Sequence, residues 1–512
     1  MSKWLDNAVF YEIYPQSFCD SNGDGIGDIR GIISKLDYIK GLGCNALWIN
    51  PCFVSPFTDA GYDVADYYTV APRYGTNEDI KTLFEELHKR DMHVLLDLVP
   101  GHTSVEHKWF KESMKPEENE FSHRYVWTDS IWESPEGMND IRGISQRDGC
   151  CGVNFFSTQP ALNYGFYKKT RPWQMSPEDP APTATLNAMI DVMRFWLQMG
   201  CDGFRVDMAA SLVKNDEDGK GNIALWQKVR AFLDKEFPEA AMVSEWGEPD
   251  KSLAGGFHMD FLLHFGPSHY NDLFRCDKPF FSKRGEGNIA EFVDTYKRNY
   301  DKTGGSGLIC IPSGNHDMDR LARKFDTEEL KLCFAFLLSM PGAPFIYYGD
   351  EIGMRYVEGL TSVEGGFGRT SSRSPMQWSG GVNAGFSSAA AEKLYMALDP
   401  DPDRPTAEKS VNEPSSLYNE VKKLIGVRQS HTALQSKGKI SFVYAEENSY
   451  PLAYLRSDDN EKILVVVNPA DRECGFDFDG LAGETLYLKG SVEVKGGKVT
   501  AAAQSAAFIK IK

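Results

Sequence analysis

Three acidic residues of the sequence follow closely on short apolar segments. Asp207 follows GFRV, Glu245 follows AMVS, and Asp317 comes shortly after GLICIPS. Arg205 stands two residues before Asp207, on the same face of an extended strand, where its positive charge can keep that carboxylate ionised. Carboxyl groups grouped in this way suit general acid–base or covalent chemistry at a glycosidic bond.

Each of these residues also has a simpler interpretation when it is taken alone. Arg205 and Asp207 could form a buried structural ion pair, Glu245 could be an interface carboxylate, and His102 could be a histidine of the core. The functional interpretation is favoured because the pattern recurs: Asp97 and His102 follow another apolar segment, so coincidence would have to occur at four strand ends.

The elements that must position these side chains alternate along the chain. Apolar segments rich in β-branched and aromatic residues alternate with amphipathic stretches of helical period, such as residues 29–43 and 77–92. The pattern predicts an α/β fold with parallel strands, namely a (β/α)₈ barrel with its functional residues at the C-terminal strand ends. A doubly wound open sheet fits the same alternation. The expected strands are 8–15, 46–50, 93–99, 203–208, 241–246, 261–265, 307–313 and 344–351.

Two other regions depart from this alternation. Residues 104–170 are too long for an ordinary connection and predict a small excursion domain after the third strand, and residues 355–415 form a second irregular stretch. From residue 436 onward, short alternating segments separated by turns predict a C-terminal antiparallel β-sandwich domain. The barrel is therefore expected over 1–103 and 171–435.

The composition of the chain argues against some classes of binding partner. The net charge of −18 argues against nucleic acid or an anionic membrane surface as the main partner. The ten cysteines show neither zinc-site spacing nor a dense disulfide framework. The start of the sequence, MSKWLDNAVF, lacks the apolar run of a signal peptide, and no stretch is long and apolar enough to span a membrane. These features predict a cytoplasmic protein that acts on a small molecule, with its oligomeric state open.

Several motifs together resemble the α-amylase superfamily, glycoside hydrolase family 13, and within it the α-glucosidase and oligo-1,6-glucosidase branch. They occur in family order over residues 8–380: YEIYPQSF, DSNGDGIGD, GYDVADY, DLVPGHTS, QPALN, GFRVD, SEWG, GNHD, PFIYYGDEIGM and SPMQW.

The resemblance implies a role for each matching residue. Asp207 would be the nucleophile, Glu245 the acid/base with a raised pKa, and Asp317 the third carboxylate. The residues expected to bind or support the sugar are Asp59, Tyr62, Asp97, His102, Arg205, His316 and Arg373.

The resemblance also implies an exo-acting, retaining α-glucosidase for short oligosaccharides, because Asp59 and Arg373 would close the pocket over a terminal glucose. Met208 after the nucleophile fits neither the α-1,6 nor the α-1,4 pattern, and Ala161 replaces an acid of the 1,6-glucosidases. The missing charge at Ala161 favours α-1,4 or mixed specificity, and the linkage preference stays open. A transglycosylase, a trehalose synthase-like isomerase or a sucrose-active enzyme are the alternatives.

The loop DSNGDGIGD raises the question of a metal. It begins like an EF-hand, but the twelfth position is Gly31 rather than Glu, so a calcium-sensing module is disfavoured. By analogy with oligo-1,6-glucosidases, the loop would bind a structural Ca²⁺ through Asp20, Asn22, Asp24, Asp28 and the carbonyl of Ile26. A non-catalytic barrel relative is disfavoured because all three carboxylates are present.

Overall fold

An eight-stranded parallel sheet forms the centre of the computed structural model, which describes residues 2–135 and 137–512. Consecutive strands pair along the sheet from β1 to β7, and β8 pairs with β1. The strands are β1 (Phe10–Ile13), β2 (Ala46–Ile49), β3 (His93–Leu98), β4 (Gly203–Val206), β5 (Ala241–Ser244), β6 (Met259–Phe261), β7 (Leu308–Cys310) and β8 (Phe345–Tyr347).

The last two strands close this sheet into a cylinder. Pro312, just beyond β7, forms a parallel bridge with Phe345 of β8, and the Ser313 N–H donates to the Phe345 carbonyl at 2.9 Å. The predicted barrel is therefore confirmed, and the open sheet is excluded. Because strands buried on both faces need a covering layer, helices surround the barrel.

The main covering helices are Ile29–Ser34, Leu36–Leu42, Asn77–His88, Pro180–Met199, Lys220–Glu236, Pro249–Ala254, Ala290–Thr303, Thr327–Leu337 and Leu417–Ser430. The stretch predicted as one helix over 29–43 is interrupted at Lys35, whose ψ of 4° is not helical. The helix expected over 77–92 begins at Asn77, where Thr76 and Asp79 form a capping box, and ends at His88.

The sixth strand lies earlier than the sequence predicted. It covers Met259–Phe261 rather than 261–265. The Leu262 N–H still pairs with the Cys310 carbonyl at 2.9 Å, but the chain then turns away from the sheet. Leu262 and Leu263 are apolar because they are buried beneath this turn, not because they belong to the strand.

The connection after β3 carries little regular structure. It contains the helix Lys108–Ser113 and an antiparallel pair, Asn139–Ile141 with Cys151–Val153. The stretch after β8 consists of short 3₁₀ turns, among them Phe367–Arg373, and the helix Ala407–Asn412. Both segments contribute to the site described below, while the predicted domain boundaries at 104, 171 and 436 stay predictions.

Two antiparallel sheets form the C-terminal part, as predicted. They share a small core that joins Leu464 and Val466 of one sheet with Phe476 and Val499 of the other. The larger sheet has the order β9-β10-β11-β16-β13 and the smaller β12-β15-β14. Their strands are β9 (Lys439–Tyr444), β10 (Leu452–Ser457), β11 (Lys462–Asn468), β12 (Cys474–Asp477), β13 (Ala482–Lys489), β14 (Val492–Lys495), β15 (Lys498–Ala501) and β16 (Ser505–Ile511).

Candidate active site

The first residues after β4 and β5 place two carboxyl groups against one guanidinium. Arg205 Nη1 lies 3.1 Å from Asp207 Oδ1, and Arg205 Nη2 lies 2.9 Å from Glu245 Oε1. The side chain of Arg205 is 1% exposed, while those of Asp207 and Glu245 are 9% and 11% exposed. Asp207 and Glu245 both line one cavity of about 560 Å³, called the central cavity below. The two carboxyls therefore converge on the same space.

The surroundings of Asp207 favour its protonated form. Burial, followed by the negative charge of Glu245, raises the pKa of Asp207 well above its ordinary value, and Arg205 opposes the shift. Asp207 therefore holds its proton to a higher pH than an isolated aspartic acid would, and the positive charge of Arg205 is what favours its ionised form.

Asp317, the third predicted carboxylate, is held by two arginines, with the imidazole of His316 beside it. Its Oδ1 accepts from Arg369 Nη1 and Arg373 Nη2, each at 2.8 Å, and His316 Nε2 lies 3.2 Å from its Oδ2. Burial alone would raise the pKa of Asp317, but His316, Arg373 and Arg369 outweigh it and hold that pKa well below its ordinary value. Asp317 is therefore an ionised acceptor in the cavity wall.

His316 joins this acid to the floor of the barrel. Its Nδ1 lies 3.0 Å from Oε1 of Glu12 on β1, and burial lowers the pKa of the ring. Tyr62 stacks on the imidazole with a ring distance of 5.2 Å and an interplanar angle of 10°. The stack fixes the ring of Tyr62, which also lines the central cavity.

Asp97 lies beneath the cavity and orients Arg205. Its Oδ1 accepts from Arg205 Nη1 at 2.8 Å, and its Oδ2 accepts from the Tyr62 hydroxyl at 2.9 Å and Trp48 Nε1 at 3.0 Å. Burial raises the pKa of Asp97 to about 6, although Arg205 and the hydrogen bonds oppose this. Asp97 does not line the central cavity, so its position suits support of the arginine and tyrosine.

His102 lines the cavity with both ring nitrogens near protein partners. Its Nε2 lies 3.0 Å from the Tyr62 carbonyl, and its Nδ1 lies 3.2 Å from Asn154 Nδ2. Burial lowers the pKa of His102 to about 4, so the ring is neutral at neutral pH. Asn154 also occupies the space above Gly101, where a Cβ would lie 2.6 Å from its Nδ2.

An arginine that the sequence analysis missed, Arg369, also lines the central cavity. Arg369 Nη2 lies 3.5 Å from Asp59 Oδ1, while its Nη1 donates to Asp317. Gln159 Nε2 donates to the other oxygen of Asp59 at 2.7 Å. Arg373, the predicted partner of Asp59, is instead 1% exposed and donates to Asp317 and to the His316 carbonyl. The sequence signal was a second arginine four residues before Arg373.

Aromatic side chains surround the open end of the cavity. Phe155 and Phe156 come from the connection after β3, Phe265 from the turn after β6, and Phe367 from the stretch after β8. Phe155, Phe265 and Phe367 are 53%, 39% and 62% exposed. Three half-exposed phenylalanines at one opening indicate a contact surface for a ligand rather than a core.

The loop proposed for calcium uses its oxygens in hydrogen bonds. Asp20 accepts from the N–H groups of Asn22, Gly23 and Gly25, and Asp28 accepts from Ser21 and from Gly31, which it caps. Within residues 2–135 and 137–512, no group of three or more His, Cys, Asp or Glu side chains is arranged to hold a metal ion. The calcium site stays a prediction.

A barrel that gathers three carboxyls around a cavity of sugar size is the architecture of a glycoside hydrolase with a (β/α)₈ fold. Comparison with known proteins agrees. Residues 12–437 match the family described as alpha amylase, catalytic domain. The chain therefore belongs to the α-amylase family and is a glycosidase or transglycosylase of glycoside hydrolase family 13.

Individual relatives differ in their activities. The chain is 33% identical over 484 residues to a trehalose synthase/amylase of Mycolicibacterium smegmatis, covering 84% of this chain and 77% of that one. It is 30% identical over 533 residues to an oligo-1,6-glucosidase of Parageobacillus thermoglucosidasius, covering 92% and 91%. A crystal structure of the trehalulose synthase of Pseudomonas mesoacidophila has a TM-score of 0.83 and 26% identity, covering 100% of both chains.

Among the described residues, no helix has the length and apolar character needed to cross a membrane.

Proposed function

We propose that the protein is a retaining, exo-acting α-glucosidase that removes terminal α-linked glucose from short oligosaccharides. The observation that carries this proposal is the shared contact of Asp207 and Glu245 with Arg205 at the wall of one cavity. Retaining enzymes need their two carboxyls about 5–5.5 Å apart, on opposite sides of the scissile bond.

The reaction takes two steps at the same pair of groups. An Asp207 oxygen attacks the anomeric carbon, while Glu245 gives its proton to the leaving oxygen as the glycosidic bond breaks. Glu245 then takes a proton from water, whose oxygen attacks the same carbon and releases Asp207 from the covalent glycosyl-aspartate. Arg205 favours the ionised nucleophile, and Asp317 accepts hydrogen bonds from sugar hydroxyls as the ring distorts.

We attribute action at chain ends to one charged wall of the cavity. Arg369 links Asp59 and Asp317 by ion pairs, and all three residues line the central cavity. A glucose bound against this wall has its non-reducing end blocked. We therefore expect release of single glucose units rather than internal cleavage.

Transfer to a sugar acceptor is the second candidate function. The half-exposed phenylalanines at the open end favour it, because apolar rings can keep a released sugar close to the covalent intermediate and exclude water. Relatives named as trehalose synthase or trehalulose synthase are consistent with this alternative. Water and the retained sugar would compete for the same glycosyl-aspartate.

The linkage and the cellular setting complete the proposal. Met208 is flexible and lines the cavity, and Ala161 carries no charge, so both support α-1,4 or mixed linkage specificity.

All ten cysteines are free, which supports a cytoplasmic setting.

A substrate panel tests these statements together. The purified protein would be incubated with maltose, isomaltose, sucrose, trehalose and soluble starch, and products would be resolved by chromatography over time. We expect free glucose from maltose, with the transferred glucosyl half released as the α-anomer, and slow action on starch. Rapid internal cleavage of starch, or inverted product, would contradict the proposal. New disaccharides in excess of glucose would favour transfer.

A further inference from the structure

The turn after β6 lies at the cavity, and its histidine has no role in the mechanism above. It begins at His264 and Phe265, followed by Gly266 with φ of +70°, a conformation that suits glycine. Asn271 Nδ2 donates to the His264 carbonyl at 2.9 Å and fixes the backbone of the turn. Both His264 and Phe265 line the central cavity.

The imidazole of His264 makes no hydrogen bond to any of the described residues. Its Nδ1 is sealed from solvent and has no partner there. A sealed N–H without an acceptor costs more than a sealed lone pair, so the proton belongs on Nε2. Nε2 is then the only ring nitrogen through which His264 can reach a ligand, and it reaches it as a donor.

Phe265 shows on which side of the cavity this turn lies. A Cβ placed on Gly247 would be 3.4 Å from Phe265 Cε2, so the phenyl ring packs over the backbone two residues after Glu245. Glu245 is the group that protonates the leaving oxygen in the proposed reaction. The Phe265 end of the turn is therefore beside the backbone that follows the acid/base, while the His264 ring lies within reach of the charges of both Asp317 and Glu245.

We propose that His264 and Phe265 form the binding site for the leaving sugar, and for an acceptor sugar in the reverse direction. The Phe265 ring packs against the C–H face of this sugar, and His264 Nε2–H donates to one of its hydroxyls. Phe155 and Phe367 enclose the same sugar from two other loops. This assignment rests on the proposed α-glucosidase function and adds which half of the substrate is recognised, and by which groups.

Two substrates with the same glucosyl half separate this role from others. In maltose the leaving group is a sugar with hydroxyls, whereas in 4-nitrophenyl α-glucoside it is an aromatic ring without hydroxyls. The ratio of kcat/KM for maltose to kcat/KM for the aryl glucoside would be measured for wild type, His264→Ala, His264→Gln and Phe265→Ala. His123→Ala, at an exposed histidine remote from the cavity lining, is the matched control.

We expect His264→Ala to lower this ratio by about tenfold, the loss of one hydrogen bond to the substrate. His264→Gln should recover part of it, because an amide can donate to the same hydroxyl. Phe265→Ala should raise KM for both substrates, because both lose an apolar contact.

An unchanged ratio in His264→Ala, with turnover of both substrates intact in wild type, would overturn the assignment. Equal losses on both substrates would do so too, since they would indicate a role toward the glucosyl half or in folding. If wild type turns over neither substrate, the proposed function itself fails, and the two failures are thereby distinct.

Discussion

The backbone N–H of Met208 donates to Glu245 Oε2 at 3.0 Å, and it can do so because Met208 stands in the left-handed region. With φ of 44° and ψ of 42°, the residue directly after the nucleophile turns its amide toward the acid/base. Non-glycine residues pay for this conformation with about 1–2 kcal/mol. The backbone strain therefore lies at the residue that follows Asp207 and donates a hydrogen bond to Glu245.

A glycine variant is usually less stable than an alanine variant at the same position, and at position 208 we expect the opposite. We expect Met208→Gly to unfold at higher urea than Met208→Ala, with a difference of about 1 kcal/mol, because glycine has no Cβ to clash. Ala210, whose φ is not positive, serves as the neighbouring control, since Ala210→Gly should destabilise by about 0.5–1 kcal/mol. Equal or inverted stabilities of the two variants at 208 would argue against strain at this residue.

Asp207→Asn should remove turnover and leave the fold intact. An amide cannot attack the anomeric carbon, so we expect kcat on maltose to fall by at least about 1,000-fold. Circular dichroism and thermal unfolding would check the fold, with Asp459→Asn as an exposed control. Substantial residual turnover in Asp207→Asn would assign the nucleophile to another residue.

Replacing each of the two arginines that contact Asp317 should lower the stability of the protein by a different amount. Arg369 is 27% exposed and Arg373 is 1% exposed. Arg373→Ala should therefore cost about 3–5 kcal/mol of stability, as expected when a buried ion pair loses one partner, whereas Arg369→Ala should cost about 1 kcal/mol.

Selectivity for chain ends gives the second readout for these arginines. Arg369→Ala removes the cation between Asp59 and Asp317, so the preference for maltose over soluble starch should weaken by about tenfold. Arg373→Ala should weaken it as well, through the position of Asp317. A variant of Arg369 with an unchanged preference would show that this wall does not set the exo-action.

Asp260 gives a prediction of pH dependence. Asp260 Oδ1, on β6, accepts from the Ser244 hydroxyl at 2.7 Å and from the Trp246 N–H at 3.2 Å. Asp260 Oδ2 is buried and has no partner among the described residues. Burial raises the pKa of Asp260 to about 7. A carboxyl whose folded pKa is raised stabilises the fold most below its unfolded pKa, about 4, and this contribution is lost as pH rises through about 7.

The isosteric change Asp260→Asn tests this sign. The amide stays neutral and its oxygen can still accept, so the variant should gain stability relative to wild type between pH 4 and pH 7. Urea unfolding at several pH values measures the difference, with Asp459→Asn as a control at an exposed residue. A constant difference across this range would contradict a titrating Asp260.

The calcium proposal has a matched variant in the same loop. Asp28 also caps the following helix, so its replacement would confuse two effects, but Asp24 is exposed and caps nothing. We expect calcium to raise the melting temperature of wild type, chelation to reverse this, and Asp24→Asn to reduce the effect by weakening the site. Magnesium should act less. A melting temperature that does not respond to calcium or chelator would contradict the proposed calcium site.

The sequence predicted the barrel and the acids but not every contact among them. Asp207 and Glu245 were identifiable because a buried strand leaves a clear apolar pattern and its end places the next side chain at the barrel rim. The partnership of Arg369 with Asp59 was not, because these residues are separated by 310 positions and neither interrupts a pattern. His264 was missed for a related reason: a single histidine in an apolar run reads as part of a strand, and the predicted strand 261–265 included it.

The walls of the central cavity come from loops that are anchored on different barrel strands. The acids stand on β4 and β5, the phenylalanines Phe155 and Phe265 on connections after β3 and β6, and Phe367 on the stretch after β8. A substitution or insertion in one such loop can alter which second sugar is accepted without disturbing the bond-breaking groups. Descendants of this scaffold can thus diversify their products one loop at a time, and chimeras that exchange a single loop offer a practical route to redirect them.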